Sequence, residues 1–302
     1  MEDNNESYNK KGTIKYKNGN IKYIGYFKNN VAHGNGTYYD RDKNLTKIFE
    51  GNFTDGYFDS GTLYLDYGNY IGYFKNSKFE GRGVFQYNNG NKYNGTWKNN
   101  SKENGRLDYS DGGYYDGHWA NNEAEGNGSR KYSNGDYYEG EFKNGLFDGK
   151  GIFYWANGGF YNGTWKKNLR EGEGKEYYGK QRDSNYYEGD FENNKKHGEG
   201  IYVNQNGEIY KGEWKNDEKN GRGTFKYQNG EYYDGQWKNN KREGEGKLNY
   251  TDGLYYEGHW KNDKREGKGK IKLTKNGKTK YSGDFKNDHY IYGIFESWRE
   301  HD

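Results

Sequence analysis

The sequence of 302 residues contains no cysteine and no proline. The lack of cysteine excludes disulfides, thiolate metal sites and a cysteine nucleophile, and it agrees with a reducing compartment. The lack of proline leaves every residue with a backbone N–H. This suits a continuous β-sheet, in which each strand must donate hydrogen bonds.

Targeting signals and long apolar runs are also missing. The residues from Met1 to Glu6 are acidic and polar, unlike a signal peptide, and Glu2 breaks the pattern for N-myristoylation. No apolar run approaches the roughly 18 residues that a membrane span requires. We therefore expect a cytoplasmic protein.

Aliphatic core residues are scarce. Few Leu, Ile and Val together with 31% charged residues would normally indicate disorder. The sequence contains instead 36 Tyr, 15 Phe and 8 Trp, and its net charge is only +3. Each aromatic ring can bury roughly 150–250 Å². Aromatic residues are therefore the predicted core material of a folded chain.

A short motif, aromatic-X-Gly-X-Trp/Phe, recurs twelve times at spacings of 21 to 26 residues. Most copies continue with a polar segment, a Gly-X-Gly triplet, a short alternating stretch and an Asn-Gly or Asp-Gly pair. Such a period indicates a repeat architecture in which each unit contacts its neighbours. The anchor aromatics that open the copies are Tyr23, Phe49, Tyr70, Tyr93, Tyr115, Tyr138, Tyr161, Tyr187, Tyr210, Tyr233, Tyr256 and Tyr281.

The copy that starts at Tyr233 shows the two-residue alternation of β-strands. Tyr233, Gly235 and Trp237 share one face of the first strand. On the second strand, one face is shared by Gly244, Gly246, Leu248 and Tyr250. We predict that each ring lies across the bare backbone of a neighbouring glycine. The residues chosen as structural anchors are Tyr93, Gly95, Trp97, Tyr233, Gly235, Trp237, Tyr256, Gly258 and Trp260.

Pairs such as Asn229-Gly230 and Asp252-Gly253 are strong signals for two-residue hairpin turns, because both turn positions need a positive φ. The other connection, from Lys238 to Glu243, is predicted to be longer and polar. Strands joined by short turns are antiparallel, so we predict a meandering ribbon of about 24 strands. Half repeats at Gly12–Tyr16 and after Gly293 would leave unpaired strands at both ends.

The order of Tyr-X-Gly-X-Trp, polar turn, Gly-X-Gly and Asn-Gly resembles the MORN repeat (membrane occupation and recognition nexus). The segment from Tyr256 to Gly269 is similar to its consensus. Three copies depart from it, because Asp59, Asn104 and Ile291 replace the first glycine of the triplet. The resemblance implies an all-β fold, an elongated single-layer antiparallel β-hairpin solenoid over residues 12–298, between a flexible N-terminal tail at 1–11 and a C-terminal tail at 299–302.

The resemblance also implies a function. It implies a non-catalytic scaffold or adaptor that organises a cytoskeletal, ciliary or membrane-associated assembly through its extended surface. One alternative is direct binding of phosphoinositides or other acidic lipids, and another is a regulatory subunit of an enzyme such as a lipid kinase. The expected partners are proteins, anionic membrane lipid and a second copy bound through the repeat ends. The nearly neutral charge argues against nucleic acid.

A basic column is the first candidate binding surface. Lysine follows the Trp or Phe of most motifs, and further basic residues lie in the same polar segment. Near a charged membrane surface each lysine contributes about 1 kcal/mol. Alternatively the column is a solvated edge, which Glu243 and Glu266 neutralise and whose lysines prevent aggregation. The candidate lipid contacts are Lys98, Lys143, Lys166, Lys215, Lys238, Lys241, Arg242, Lys261, Lys264 and Arg265.

An aromatic column is the second candidate. The residue before each anchor has the opposite parity and points to the other face of the sheet. Tyrosine is favoured at interfaces, so this column would dock a protein partner. Alternatively it stabilises cross-strand pairs on a face that has no covering layer. The candidate docking residues are Tyr114, Tyr137, Phe160, Tyr186, Tyr232 and Tyr255.

No cofactor, metal or catalytic residue is predicted. The Gly-X-Gly triplets lack the third glycine and the strand-to-helix context of a dinucleotide site. The six histidines are scattered, without the spacing of metal ligands. Acidic residues are abundant, but no pair of them is set apart for acid–base chemistry.

Overall fold

The computed structural model describes residues 10–43, 45–179 and 185–295, and every regular element in these ranges is a β-strand. The chain divides into two compact units, residues 1–146 and 147–302. The tails predicted at both ends lie outside the described residues, except for Lys10 and Lys11, which belong to the first strand.

The strands of the first unit follow one another as a meander in which each strand pairs antiparallel with the next. They are β1 Lys10–Lys15, β2 Ile21–Lys28, β3 Val31–Tyr39, β4 Lys47–Thr54, β5 Tyr57–Leu65, β6 Gly68–Lys75, β7 Lys78–Tyr87, β8 Lys92–Lys98, β9 Ser101–Asp108, β10 Tyr114–Ala120, β11 Glu123–Lys131 and β12 Tyr137–Lys143.

The second unit repeats the same antiparallel meander. Its strands are β13 Leu146–Tyr154, β14 Phe160–Lys166, β15 Leu169–Tyr177, β16 Tyr186–Glu192, β17 Lys195–Val203, β18 Ile209–Lys215, β19 Glu218–Lys226, β20 Tyr232–Lys238, β21 Lys241–Asn249, β22 Leu254–Lys261, β23 Lys264–Leu273, β24 Thr279–Lys286 and β25 His289–Phe295. The predicted all-β hairpin solenoid is confirmed in both units.

Each strand contributes one glycine to a column that runs across the sheet of its unit, because these glycines are cross-strand partners. In the first unit the column consists of Gly12, Gly25, Gly36, Gly51, Gly61, Gly72, Gly83, Gly95, Gly105, Gly117, Gly128 and Gly140. In the second it consists of Gly151, Gly163, Gly174, Gly189, Gly200, Gly212, Gly223, Gly235, Gly246, Gly258, Gly269, Gly283 and Gly293.

The anchor tyrosines lie across pairs of these glycines, as the sequence predicts. Tyr233 is fully buried, and a Cβ atom on Gly235 or Gly246 would collide with its phenol oxygen. The phenol hydroxyl donates a hydrogen bond to the carbonyl of Gln236 at 3.0 Å. All eleven anchor tyrosines bond in this way to the carbonyl three residues further on. The tyrosine ring therefore takes the space of two missing side chains.

The tryptophan of the motif joins each hairpin to the preceding one. The ring centroid of Trp237 lies 5.2 Å from that of Tyr233 and 5.4 Å from that of Tyr210, and both contacts are edge-to-face. Its Nε1–H donates to the carbonyl of Gly223 at 3.0 Å. Aromatic pairs of this geometry contribute about 0.5–1.5 kcal/mol each beyond the area that they bury. The core therefore consists of edge-to-face aromatic contacts that continue from one hairpin to the next.

The turns are the reverse of the prediction. The tight two-residue turns lie in the polar segment after the tryptophan, as at Asn239 and Asn240, whose φ angles are 50° and 67°. In the loop from Tyr227 to Glu231 only Gly230 has a positive φ, and the Asn229 carboxamide accepts the N–H of Glu231 at 3.0 Å. The Asn-Gly signal therefore indicates a longer loop with an Asx turn, because asparagine also closes turns through its side chain.

The first glycine of the Gly-X-Gly triplet lies in a β-bulge. Gly235 pairs with Gly246, and Trp237 pairs with Arg242. The three residues from Glu243 to Glu245 therefore lie opposite the single residue Gln236. The middle one, Gly244, has a φ of 68°. In the hairpins of Asp59, Asn104 and Ile291 the bulge is one residue shorter and none of these residues has a positive φ. The prediction that they replace a glycine is wrong. The shorter bulge has no left-handed position to fill.

The second residue of most tight turns is bonded to the preceding hairpin. The Asn240 carboxamide accepts the backbone N–H of Lys219 at 2.9 Å, and the N–H of Asn240 donates to the carbonyl of Lys219 at 3.1 Å. Eight hairpins make the first of these inter-hairpin bonds, through Asn100, Asn122, Asn168, Asn194, Asp217, Asn240, Asp263 and Asp288. Asparagine and aspartate at this position thus tie successive repeats together.

We expect Asn240→Gly to lower the free energy of unfolding by about 1 kcal/mol, the usual contribution of one such hydrogen bond. Asn239→Gly is the matched control. Glycine accepts a positive φ at either position, and for Asn239 the described residues show no side-chain hydrogen bond to the preceding hairpin. Urea unfolding followed by tryptophan fluorescence measures both variants. An equal loss in the two would show that the inter-hairpin bond contributes nothing.

Candidate functional site

The sheet of each unit has two different faces. The inner face carries the anchor tyrosines and the tryptophans, and the outer face carries the residues of opposite parity, such as Asp234 and Gln236. The structural anchors predicted from the sequence all belong to the inner face or its glycine column. Tyr93, Tyr233 and Tyr256 are fully buried there. The outer face and the hairpin tips are therefore the surfaces available for binding.

The six candidate docking aromatics lie on the outer face and are partly exposed, Tyr232 most clearly, with 39% of its surface accessible. Several of them carry a cation on the ring. The guanidinium carbon of Arg106 lies 3.7 Å from the ring centroid of Tyr114, and the Lys175 ammonium lies 4.1 Å from that of Tyr186. Cation–π contacts at exposed sites contribute about 0.5–1 kcal/mol, so cross-strand stabilisation accounts for part of this column.

Only two of the six, Phe160 and Tyr186, belong to a continuous apolar surface. Cross-strand pairing places them in one row on the outer face of β13–β18, which we call the apolar row: Tyr154, Phe160, Tyr177, Tyr186, Val203 and Ile209. Each member keeps part of its surface exposed. Five strand spacings give the row a length of about 24 Å.

The other four docking candidates lie among polar neighbours. Tyr232 pairs with Lys226 and Asn249, and Tyr255 pairs with Asn249 and Lys272. In the first unit Tyr114 and Tyr137 both pair with Lys131. The sequence prediction did not include Tyr154, Tyr177, Val203 and Ile209, which the pairing adds to the row. The parity of the second strand was the signal that could have found Tyr154, Tyr177 and Val203.

The ten candidate lipid contacts divide into two groups. Arg242 and Arg265 are half-buried on the inner face, where Arg242 pairs with Asp263 at 3.3 Å and Arg265 with Asp288 at 3.2 Å. The other eight are exposed lysines beside the tight turns, at the hairpin tips. Lys98 lies 3.9 Å from Glu103. The structure therefore separates the two arginines from the exposed lysines.

Cross-strand pairing further distinguishes the tips of the second unit. Lys166 pairs with Leu169, and Lys215 pairs with Glu218. In the next two hairpins lysine faces lysine, since Lys238 pairs with Lys241 and Lys261 pairs with Lys264. Positive charge is thus concentrated on the tips of β20–β23.

A row of cations lies among the rings of the inner face, each five residues after the motif Trp or Phe. The sequence prediction named two of them, Arg242 and Arg265, only as lipid contacts and did not predict the row. In the second unit these cations are Arg170, Lys196, Lys219, Arg242 and Arg265, and in the first unit Lys102. The Lys219 ammonium lies 4.2 Å from the ring centroid of Phe225 and 5.0 Å from that of Trp237. Burial among rings lowers the pKa of Lys219 and of Lys102 to about 8, and it also lowers the pKa of Lys196.

Among the described residues, open depressions lie above the glycine column of the outer face. One, of about 710 Å³, is lined by side chains of both charges, among them Glu213, Arg222, Asp234 and Lys247. The described residues contain no group of three or more histidine, aspartate or glutamate side chains that could hold a metal ion. In the same part of the chain, no helix is long and apolar enough to cross a membrane.

A protein-family model described as the MORN repeat matches the chain. It matches nine segments that together make up more than half of the chain: residues 23–44, 70–92, 115–137, 138–160, 161–181, 187–209, 210–232, 233–255 and 256–278. The three unmatched copies, anchored at Phe49, Tyr93 and Tyr281, are those with the shorter bulge. They keep the ring, the glycine pair and the tight turn of the matched copies.

No curated protein sequence matches the chain. Among solved structures, the chain is similar to the TCP10c domain of Drosophila melanogaster Sas-4, with a TM-score of 0.31 and 14% identity, over 52% of this chain and 93% of that one. It is also similar to a mutant of the TCP10 domain of Danio rerio CPAP, with a TM-score of 0.24 and 11% identity, over 72% of this chain and 95% of that one.

The lowered pKa of Lys219 predicts how stability changes with pH. The pKa of Lys219 is about 8 in the folded chain, and its ordinary pKa is 10.5. Between these two pH values the folded chain has largely lost the proton of Lys219, whereas the unfolded chain still holds it. This lysine therefore makes the free energy of unfolding rise with pH in that range. We expect Lys219→Met to be more stable than the parent at pH 7, and we expect this advantage to shrink by pH 9.5.

Urea unfolding at the two pH values measures this difference, with Lys166→Met as the control, since Lys166 is exposed and faces Leu169. Burial raises the pKa of Tyr233 and of Tyr210, so only differences between variants are compared. A Lys219→Met advantage that is the same at both pH values would contradict the prediction.

Proposed function

The chain belongs to the MORN repeat family, and from this premise we propose that it is a non-catalytic scaffold that binds a protein partner through its outer face. The array over residues 12–298 would act as the binding domain. The family resemblance favours a cytoplasmic scaffold in a cytoskeletal or membrane-associated assembly. The open depressions above the glycine column, lined by side chains of both charges, agree with binding along the sheet.

The apolar row of β13–β18 is the observation that carries this proposal. Four of its six members are aromatic, and aromatic residues are enriched in the cores of protein interfaces. Beside it lie polar side chains, including the ion pair of Lys175 with Glu188 at 2.8 Å. An apolar centre with a polar rim is the usual anatomy of an interface. A row of about 24 Å matches an amphipathic helix of about 16 residues in the partner.

We expect Phe160→Ser, Tyr177→Ser and Tyr186→Ser, combined in one variant, to lose the partner protein. Serine removes the apolar area and leaves the buried anchors unchanged. The matched control combines Tyr114→Ser, Tyr232→Ser and Tyr255→Ser, which also change three outer-face tyrosines but lie outside the row. Cross-linking in the native cell, followed by quantitative mass spectrometry, identifies proteins recovered with the parent and the control but not with the row variant.

Thermal unfolding establishes that both variants remain folded. If every protein recovered with the parent were also recovered with the row variant, the apolar row would not be the docking surface. Loss of the same proteins from both variants would point to general loss of aromatic area instead.

A second copy of the chain is a further proposed partner, and the last described strand supports it. In β25 the exposed fractions are 81% for Tyr292, 74% for Ile294 and 64% for Phe295, and the strand carries no lysine or carboxylate. The other terminal strand, β1, contains Lys10, Lys11 and Lys15, which discourage pairing between edges. Edge pairing of β25 between two copies would cover this apolar strand.

We expect the parent chain to be a dimer at high concentration and the double variant Tyr292→Lys with Ile294→Lys to be a monomer, because two added charges oppose edge pairing. Light scattering after size-exclusion chromatography measures the mass of each. Ile71→Lys with Tyr73→Lys is the control, since these residues are exposed at 55% and 60% in the first unit. A parent chain that stays monomeric would refute this pairing.

A further inference from the structure

Four exposed lysines at the tips of two successive hairpins form a distinct surface of the second unit. Lys238 and Lys241 face each other across the β20–β21 turn, and Lys261 and Lys264 face each other across the β22–β23 turn. We call them the tip lysines. Among the described residues, none of the four has an acidic side chain within ion-pair distance.

The acidic residues of these hairpins are engaged elsewhere. Glu243 accepts the backbone N–H of Asn262 at 2.9 Å, and Glu266 accepts that of Asn287 at 3.0 Å. Asp263 accepts both the backbone N–H and the side-chain Nε–H of Arg242. The neutralising role that the sequence suggests for Glu243 and Glu266 is therefore limited, because each carboxylate is held at the turn of the next hairpin.

Other tips of the same unit lack this concentration of charge. Glu192 pairs with Lys195 in the β16–β17 hairpin, and Lys215 pairs with Glu218 in the β18–β19 hairpin. Like charges directly opposite each other destabilise a strand pair. The two lysine pairs therefore reduce the stability of their own hairpins until a negatively charged partner neutralises them.

We propose that the tip lysines bind an extended acidic segment of a partner polypeptide. The four ammonium groups lie on four consecutive strands, so they form a line about 14 Å long. An extended chain advances about 3.3 Å per residue, so four or five residues rich in glutamate or aspartate span this line. The site goes beyond the proposed scaffold function, since it lies at the hairpin tips and shares no residue with the apolar row.

The surroundings of the tip lysines favour a polypeptide over a lipid bilayer. The turn residues between them are Asn239, Asn240, Asn262 and Asp263, so the tips have no apolar or aromatic side chain to insert among lipids. The positive charges lie in one line along the hairpin tips. Such a line fits a single extended polypeptide better than it fits a flat layer of lipid headgroups.

The test measures binding of a fluorescein-labelled polyglutamate peptide to the full chain by fluorescence anisotropy, at low and at physiological salt. The variant replaces all four tip lysines by glutamine. The control replaces Lys166, Lys167, Lys195 and Lys215 by glutamine, which removes the same charge from the neighbouring tips. Exposed ion pairs contribute modestly, so we expect the tip variant to bind about tenfold more weakly, whereas the control keeps nearly the affinity of the parent.

A second measurement follows thermal unfolding with and without the peptide. The peptide should raise the unfolding temperature of the parent and of the control but not that of the tip variant. Without peptide, the tip variant should be at least as stable as the parent, which shows that it is folded. If the tip variant and the control both bound the peptide equally more weakly than the parent, the effect would depend on net charge alone, and the proposal would be overturned. Binding to phosphatidylserine vesicles without binding to the peptide would also overturn it.

Discussion

The structure depends on a single steric constraint, the placing of one tyrosine ring over two paired glycines. Because the ring fills the space of two missing side chains, each strand must bring a glycine to the same level of the sheet, and one register satisfies this in both units. The tryptophan then closes the gap between successive rings and bonds to a glycine carbonyl. A single-layer sheet with few aliphatic residues thereby acquires a core from its own repeats.

Much of the fold could be predicted from the sequence, because strand parity and glycine spacing report the ring contacts directly. The turns could not. Asn239 and Asn240 take positive φ angles although neither is glycine, whereas Asn229 uses its side chain to close a longer loop. The same residue type serves both purposes, and the surrounding register decides between them. The bulge at Gly244 follows only from the pairing. The shortened segment was visible in the sequence, because Gly61 follows Phe49 by 12 residues whereas Gly246 follows Tyr233 by 13 residues.

The sequence predicted the candidate surfaces only as columns, that is, as residues at the same position of successive repeats. Binding depends instead on the cross-strand neighbours of each residue, which differ from one repeat to the next. Phe160 has Tyr154 and Tyr177 as cross-strand neighbours, but Tyr232, at the same position of another copy, has Lys226 and Asn249. Likewise Arg242 and Lys241 are adjacent in sequence and lie on different faces, because the strand turns successive side chains to opposite sides.

The inter-hairpin bonds have a consequence for how such a chain changes in evolution. Each one reaches from a turn to the hairpin immediately before it and no further. A duplication or deletion of one whole repeat therefore leaves every junction with the same set of partners, while an insertion inside a repeat disturbs one junction alone. Duplication of a single unit of about 23 residues can thus change the number of hairpins without changes in the sequences of the other repeats.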